Sequence, residues 1–274
     1  METGVTHTDT RAGESPALKI RIILEETDEQ KQAEQFFQAC GISIGYDSDV
    51  VVISDSPQIC SHYLEKGIAV IAVLKNENAY PGVLYAVMDY RDIDGEYIDR
   101  VYRRYHGLPW DICETERCLI RETTVDDVEA FYAIYQEKSV TEYMEDLFED
   151  PEEERRYIRD YIDKVYGFYG FGMWTVCLKS TGEVIGRAGL SMREGFEEPE
   201  LGYVIGVPWQ RKGLAEEVCR EIIRYGKEEL EMGNIQILME EGNVASENLC
   251  KKLGFIFAGQ ISWKHKDFNR FLLA

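Results

Sequence analysis

The sequence predicts an α/β (α+β) chain in two parts: a small parallel α/β domain, then a larger domain around a mixed central sheet. Three observations carry this. The first third alternates short, almost continuously apolar runs with amphipathic segments, as strands do when both faces are buried beneath helices. Gly107-Leu108-Pro109-Trp110 interrupts the alternation with residues that end a helix. Beyond it, Glu200-Leu201-Gly202-Tyr203-Val204-Ile205 has strand composition, and Gln210-Arg211-Lys212-Gly213-Leu214-Ala215 leads from it into a long amphipathic helix. The expected division is a mobile tail over 1–16, an α/β domain over 17–112 and a second domain over 113–274.

In chain order, residues 1–16 are polar and lack periodicity. Lys19 to Leu24 reads as a strand, Asp28 to Cys40 as a helix, Val50 to Ser54 as a strand, Pro57 to Lys66 as a helix and Ile68 to Leu74 as a strand. Tyr85 to Met88 adds a fourth strand before a helix from Gly95 to His106. In the second domain, Ala215 to Leu230 is helical because Val218, Ile222, Ile223 and Tyr225 recur on one side among charged residues. Asn234 to Met239 is another strand, and the segment from Asn243 forms a short helix closed by Gly254.

Composition narrows the function classes. A chain of 274 residues with 45% hydrophobic and 12% aromatic residues is large enough for two cores. Its formal net charge of -21 opposes binding to nucleic acid or anionic membranes, which requires a basic surface. No apolar run reaches the roughly 18 residues of a membrane span, and the N-terminus has no apolar signal segment, so a soluble, cytoplasmic protein is expected. Seven cysteines without framework spacing fit reduced thiols. Four scattered histidines form no metal motif, and no metal is expected. Asp47, Asp49 and Asp55 lie near strand ends, where they serve either as turn and cap residues or as ligands of a divalent cation.

The junction before Ala215 is a place for phosphate. The first turn of a helix exposes backbone N–H groups without partners, and the helix dipole adds positive charge. Gly213 permits close backbone approach, while Arg211 and Lys212 bring full charges. Further on, Asn243-Val244-Ala245-Ser246-Glu247-Asn248-Leu249-Cys250 runs into Leu253-Gly254-Phe255. The order strand, QxxGxA, helix, strand, Asn, short helix, Leu-Gly-Phe resembles the GNAT superfamily of acyl-CoA-dependent N-acetyltransferases. Upstream, Thr115 to Glu122 with Asp126 and Asp127 is similar to the opening of the Rim type, which acetylates ribosomal-protein N-termini. Val184 to Leu190 is similar to that group's third strand. The resemblance spans about residues 115–274.

That resemblance implies transfer of an acetyl group from acetyl-CoA to a primary amine, by direct attack within a ternary complex. It implies a cleft where the strand at Glu200 to Ile205 splays from its neighbour, with pantetheine along Ile205 and Val207 and pyrophosphate on the turn Gln210 to Ala215. A backbone N–H near Ile205 would face the thioester oxygen, and Asn243, Ser246 and Asn248 would line the pantetheine arm. Glu200 stands where many members carry a general base; its other reading is an ion pair with Arg187 or Arg193. Cys250 replaces the tyrosine that often protonates departing CoA, so either water or Cys250 supplies that proton, and packing is the thiol's other role. Tyr203 alternates away from Glu200, Gly202 and Val204, which favours the core.

Eight acidic residues from Glu142 to Glu154 include Asp150 before Pro151, a good helix start. In GNAT folds this segment borders the acceptor, so Glu142, Glu145, Asp146 and Glu149 are candidates to attract a cationic small molecule or basic peptide. The loop around Lys264 to Asn269 is expected to help shape that pocket. A noncatalytic acyl-CoA-binding protein is the alternative, and a homodimer stays open. The first domain faintly resembles Rossmann-like and haloacid dehalogenase-like folds over Val51 to Val73, yet Glu25-Glu26-Thr27-Asp28 replaces the nucleophilic Asp-x-Asp.

Overall fold

The computed structural model describes residues 19–46, 49–75, 79–144 and 146–274. The expected tail, Asp47 and Glu145 lie outside the described residues. The chain divides between His106 and Gly107 into two compact units. This point precedes the expected boundary at 112/113, because Asp111–Glu114 is an edge strand of the second unit's sheet. Its half-exposed residues and a bulge between Asp111 and Cys113 hid it from alternation.

In the first unit, β1 (Lys19–Ile23), β2 (Ser43–Ile44), β3 (Val51–Ser54), β4 (Val70–Val73) and β5 (Tyr85–Val87) form a parallel sheet ordered β2-β1-β3-β4-β5. Helices α1 (Thr27–Ala39) and α3 (Gly95–Tyr105) bury Ala33, Phe37, Ile98 and Val101 against Ile20, Ile22, Ile53 and Ile71. Helix α2 (Pro57–Glu65) sets Cys60 against Val50, Val52, Val70 and Ala72 on the other face. Strands β3 and β4 are therefore buried throughout, which is why they read as unbroken apolar runs. The short β2 has an exposed and a half-buried residue and no readable signal.

The strand-end aspartates already have partners. Asp55 accepts a hydrogen bond from the Glu25 N–H (2.9 Å) and lies 2.7 Å from the Lys75 ammonium, which also pairs with Glu29. Asp49 accepts from the Tyr102 hydroxyl at 2.7 Å. Among the described residues no group of three or more His, Cys, Asp or Glu is arranged to hold a metal ion.

The second unit contains β6 (Asp111–Glu114), β7 (Cys118–Arg121), β8 (Met173–Leu178), β9 (Val184–Ser191), β10 (Glu200–Ile205), β11 (Ile235–Glu240), β12 (Ile256–Trp263) and β13 (Lys266–Leu273). Their order is β12-β13-β11-β10-β9-β8-β7-β6. All neighbours are antiparallel except β10 and β11, so this is the mixed sheet expected. The helices are α4 (Val128–Tyr135), α5 (Lys138–Thr141), α6 (Pro151–Tyr161), α7 (Gly167–Tyr169), α8 (Leu214–Glu228) and α9 (Val244–Leu253). On one face α8 and α9 bury Val218, Ile222, Cys250 and Leu253 with Trp174 and Leu201. Phe131, Ile134, Val140 and Ile158 of α4, α5 and α6 pack in separate clusters, one of which includes Val204.

The expected loop over Lys264 to Asn269 is instead a tight hairpin turn. Only Lys264 and His265 leave the ladder, both with positive φ (47° and 67°), and Lys266 to Asn269 pair within β13. Such paired left-handed residues match the twist of the flanking strands.

Strands β9 and β10 approach closely at Gly186. A Cβ there would collide with the Val204 carbonyl oxygen and stand 3.1 Å from the Ile205 Cα. Because these are backbone atoms, Gly186→Ala is expected to destabilise the protein by about 1–3 kcal/mol, the usual range for overpacking. Urea unfolding measures this, and an unchanged midpoint would show that the ladder accommodates the methyl group.

Candidate functional site

Strands β10 and β11 are parallel neighbours that pair at a single position, Glu200↔Gln236. There the Gln236 N–H donates to the Pro199 carbonyl at 2.9 Å. Across β10 the ladder with β9 continues from Glu200 to Ile205, and the Gly206 N–H donates to the Ile185 carbonyl at 2.8 Å. Alternation along the strand then turns the backbone polar groups of Tyr203 and Ile205 towards β11, where no strand pairing receives them. The sheet thus opens at its centre beside Ile205.

The turn after β10 is tightly built. Val207–Trp209 forms a single 3-10 turn, the Trp209 N–H donates to the Gly206 carbonyl (2.8 Å), and the Gln210 side-chain amide donates to the Ile205 carbonyl (2.9 Å). Arg211 and Gly213 both adopt left-handed backbone, with φ of 58° and 80°. Gly213 is the N-cap of α8 and supplies no capping side chain. The first-turn N–H groups of Leu214 and Ala215 therefore lack both an intrahelical and a side-chain acceptor. Glu216 and Glu217 in that turn are engaged elsewhere, Glu216 with Arg220 and Glu217 with Arg117. Arg211, Lys212 and Gly213 are exposed, and the Lys212 ammonium sits 4.6 Å from the Trp209 ring centroid. A concave turn of free N–H groups with two cations at its rim fits a pyrophosphate.

Sequence reasoning missed Arg117. Its guanidinium donates to the Lys212 carbonyl (2.9 Å) and to Glu217 (2.7 Å), and its Nη2 lies 3.5 Å from where a Cβ on Gly213 would stand. Arg117 precedes β7 and lies far from Gly213 in the chain, so no local pattern could reveal it.

The other candidates divide between ligand-facing and structural placements. The Asn243 side-chain oxygen accepts from the Ser246 N–H (3.1 Å) and caps α9. Asn243 and Ser246 are half-buried and Asn248 is exposed. Tyr203 is half-buried and packs against the α8 and α9 core, as alternation predicted, with its phenol near Ser246. Burial drives the pKa of that phenol upwards. Cys250 is fully buried, and burial pushes its thiol up to about 12. A thiol so reluctant to ionise is a poor donor to a departing thiolate, which favours the packing reading.

Glu200 is 5% exposed, and both its oxygens pair with Arg193, one through Nε and the other through Nη2 at 3.2 Å. Arg187 is not its partner. The Arg193 guanidinium also lies 4.7 Å from the Trp263 ring centroid.

In the acidic segment, Asp150 caps α6 by accepting from the Glu152 N–H (2.9 Å), with Pro151 in the first turn, as the helix-start reading required. Glu154 is buried and accepts from the Phe148 N–H at 3.1 Å. Glu142, Asp146 and Glu149 are exposed. Nearby, the Tyr143 hydroxyl donates to the Gly242 carbonyl (3.3 Å), joining the segment after α5 to the turn after β11. A separate cavity of about 430 Å³ is lined by Phe171, Met192, Glu197, Glu198, Pro199 and Leu230 among others, at the opposite end of β10 from Arg211.

Comparison with known proteins agrees with this architecture. A family model described as an acetyltransferase (GNAT) domain matches residues 117–256, just over half of the chain. The uncharacterized N-acetyltransferase YoaA of Bacillus subtilis (strain 168) is 30% identical over 147 residues, covering 53% of this chain and 82% of YoaA. Among solved structures, a putative GnaT-family acetyltransferase from Bordetella pertussis superposes with a TM-score of 0.52 at 18% identity, covering 60% of this chain and 100% of that one. RimL, a ribosomal L7/L12 alpha-N-protein acetyltransferase solved in complex with coenzyme A, gives 0.50 at 14% identity over 60% of this chain and 97% of its own. No helix among the described residues is long and apolar enough to cross a membrane. The chain belongs to the GNAT acetyltransferase family.

Proposed function

We propose that the second unit transfers an acetyl group from acetyl-CoA to a primary amine by direct attack in a ternary complex. The open edge of β10 at Ile205, leading straight into the uncapped start of α8, carries this reading. The turn from Gln210 to Ala215, with Arg211 and Lys212, receives the pyrophosphate. The edge at Ile205 and Val207 receives pantetheine, and Asn243, whose side-chain amide nitrogen is not used by its cap, holds the arm together with Ser246 and Asn248. The Ile205 N–H polarises the thioester oxygen, where charge develops during attack.

In the transfer, the amine nitrogen bonds to the thioester carbon and the C–S bond breaks, its electron pair leaving with sulfur. A cationic acceptor first loses one proton to become the neutral nucleophile; after attack the nitrogen gives up a second, and water returns one to the thiolate. Glu200 lies at the closed end of the opening and accepts the nitrogen's proton through water, using the lone pairs Arg193 leaves free. The exposed Glu142, Asp146 and Glu149 draw in a cationic amine, a small molecule or a basic peptide. RimL's action on a protein N-terminus supports the peptide option.

The experiment is release of free thiol from acetyl-CoA across a panel of amines, with wild type and Glu200→Gln. Turnover on one amine class is expected, with kcat lowered about 100-fold in the variant and acetyl-CoA affinity unchanged. Equal kcat in the two proteins would leave Glu200 as a structural partner of Arg193. Acetyl-CoA binding without turnover of any amine would favour the noncatalytic alternative. The first unit's reversal of strand order between β1 and β3 supports a Rossmann-like layer. The Lys75 ammonium on Asp55 supports a structural part for that carboxylate.

A further inference from the structure

A cation without a counter-ion among the described residues lies beneath the same strand. Arg187 stands in the middle of β9, opposite Val204 of β10 and Thr175 of β8. It is only 8% exposed. Its guanidinium lies 4.6 Å from the Phe131 ring centroid, and the Tyr135 phenol is beside it. Tyr157, Tyr161 and Tyr166 complete the surroundings, and the buried Nε has no acceptor.

Among the described residues no carboxylate pairs with Arg187. The other arginines of this region do have partners: Arg121 holds Asp127 and Arg193 holds Glu200. An arginine cannot shed its charge. Desolvating a charge is costly, and a ring face with a neutral phenol offsets only part of that cost. A buried guanidinium lined with phenols and lacking a carboxylate is thus incomplete in a specific way: it calls for an anion from outside.

The location says which anion. Tyr135 packs against the cluster of Ile134, Val140 and Val204, and Val204 directly precedes Ile205, at whose edge the acyl group is placed. Tyr157, on α6, is 44% exposed and belongs to the aromatic surroundings of Arg187.

We propose that Arg187 is the counter-charge for a carboxylate carried by the acceptor amine itself, so that the acceptor is zwitterionic: an amino acid or a short peptide bearing both an ammonium and a carboxylate. This rests on the acetyl-transfer reading above. The acidic segment favours the ammonium end, Arg187 favours the carboxylate end, and together they select against polyamines and aminoglycoside-like amines.

Matched pairs test this. Thiol release is measured for free amino acids against their carboxamides, and for dipeptides beginning with glutamate against those beginning with glutamine, in wild type, Arg187→Met and Arg187→Lys. Wild type is expected to prefer the carboxylate member by about 10- to 100-fold, through KM, the effect of one charge-assisted hydrogen-bonded partner. Arg187→Met loses that preference while keeping its kcat on the carboxamide, and Arg187→Lys falls between. A dipeptide preference without a free amino-acid preference assigns the carboxylate to the peptide side chain.

Equal use of both members by wild type, or equal loss on both in Arg187→Met, overturns the proposal. Should Arg187→Met not fold, the wild-type pairs decide alone. Calorimetric titration of the same compounds into CoA-saturated protein needs no turnover: carboxylate binding without thiol release sinks the transfer reading and keeps the anion site. The absence of carboxylate binding sinks the site.

Discussion

Gly213→Trp is expected to lower acetyl-CoA affinity at least about 100-fold while leaving the fold intact. The residue sits at φ 80°, where a side chain costs about 1–2 kcal/mol. It is exposed, so the bulk of the indole disturbs no core. A Cβ there would point within 3.5 Å of the Arg117 guanidinium that fastens the turn. The indole would therefore cover the free N–H groups of the α8 start and displace the cation behind them. Gly213→Ala carries the same backbone strain without the bulk and is the control; it should bind within a few-fold of wild type. Calorimetry measures affinity and thermal unfolding measures the fold. If Gly213→Trp binds like wild type, the pyrophosphate does not use this turn.

Breaking the Arg121–Asp127 pair is expected to be the most destabilising single change in the second unit, about 3–5 kcal/mol for Asp127→Asn or Arg121→Met. The pair is bidentate, with 2.6 and 2.8 Å contacts. Asp127 also accepts from the Thr175 hydroxyl (2.9 Å) and the Thr124 N–H (2.9 Å). Either substitution leaves the other charge buried and alone. Burial by itself would raise the Asp127 pKa, but the guanidinium and the further hydrogen bonds outweigh it and hold the carboxyl below its usual value. The stabilisation is therefore complete above the unfolded pKa, near 3.9, and is lost as pH falls through the lower folded value. Urea unfolding at neutral pH and at progressively lower pH should show a steep acid limb in wild type that Asp127→Asn lacks. A loss below about 1 kcal/mol at neutral pH would mean that water enters and solvates the orphaned charge.

The readable parts of this chain are those whose physics is local. Strands β3 and β4 are apolar on both faces, so their residues announce a buried parallel sheet. Helix α8 carries its burial on one periodic stripe, and Gly213 marks a backbone conformation other residues avoid. Asp150 and Pro151 spell a helix start that the structure repeats. In contrast, β2 is too short and β6 too exposed and bulged to leave a pattern. The hairpin turn between β12 and β13 has no glycine, so the sequence predicted a longer loop there.

The candidate site divides in the same way. The sequence by itself determined the family, most strands and helices of the first unit and the glycine-marked turn before α8, because a helix start and a glycine in left-handed backbone are properties of a few consecutive residues. Only the tertiary structure decided that Glu200 pairs with Arg193 rather than Arg187, that Cys250 is sealed in the core, that Arg117 braces the turn before α8, and that Arg187 has aromatic neighbours and, among the described residues, no carboxylate partner. Each of these depends on which strands and helices meet across long stretches of chain. Charge pairing and desolvation are set by those distances in space, which no spacing along the sequence records.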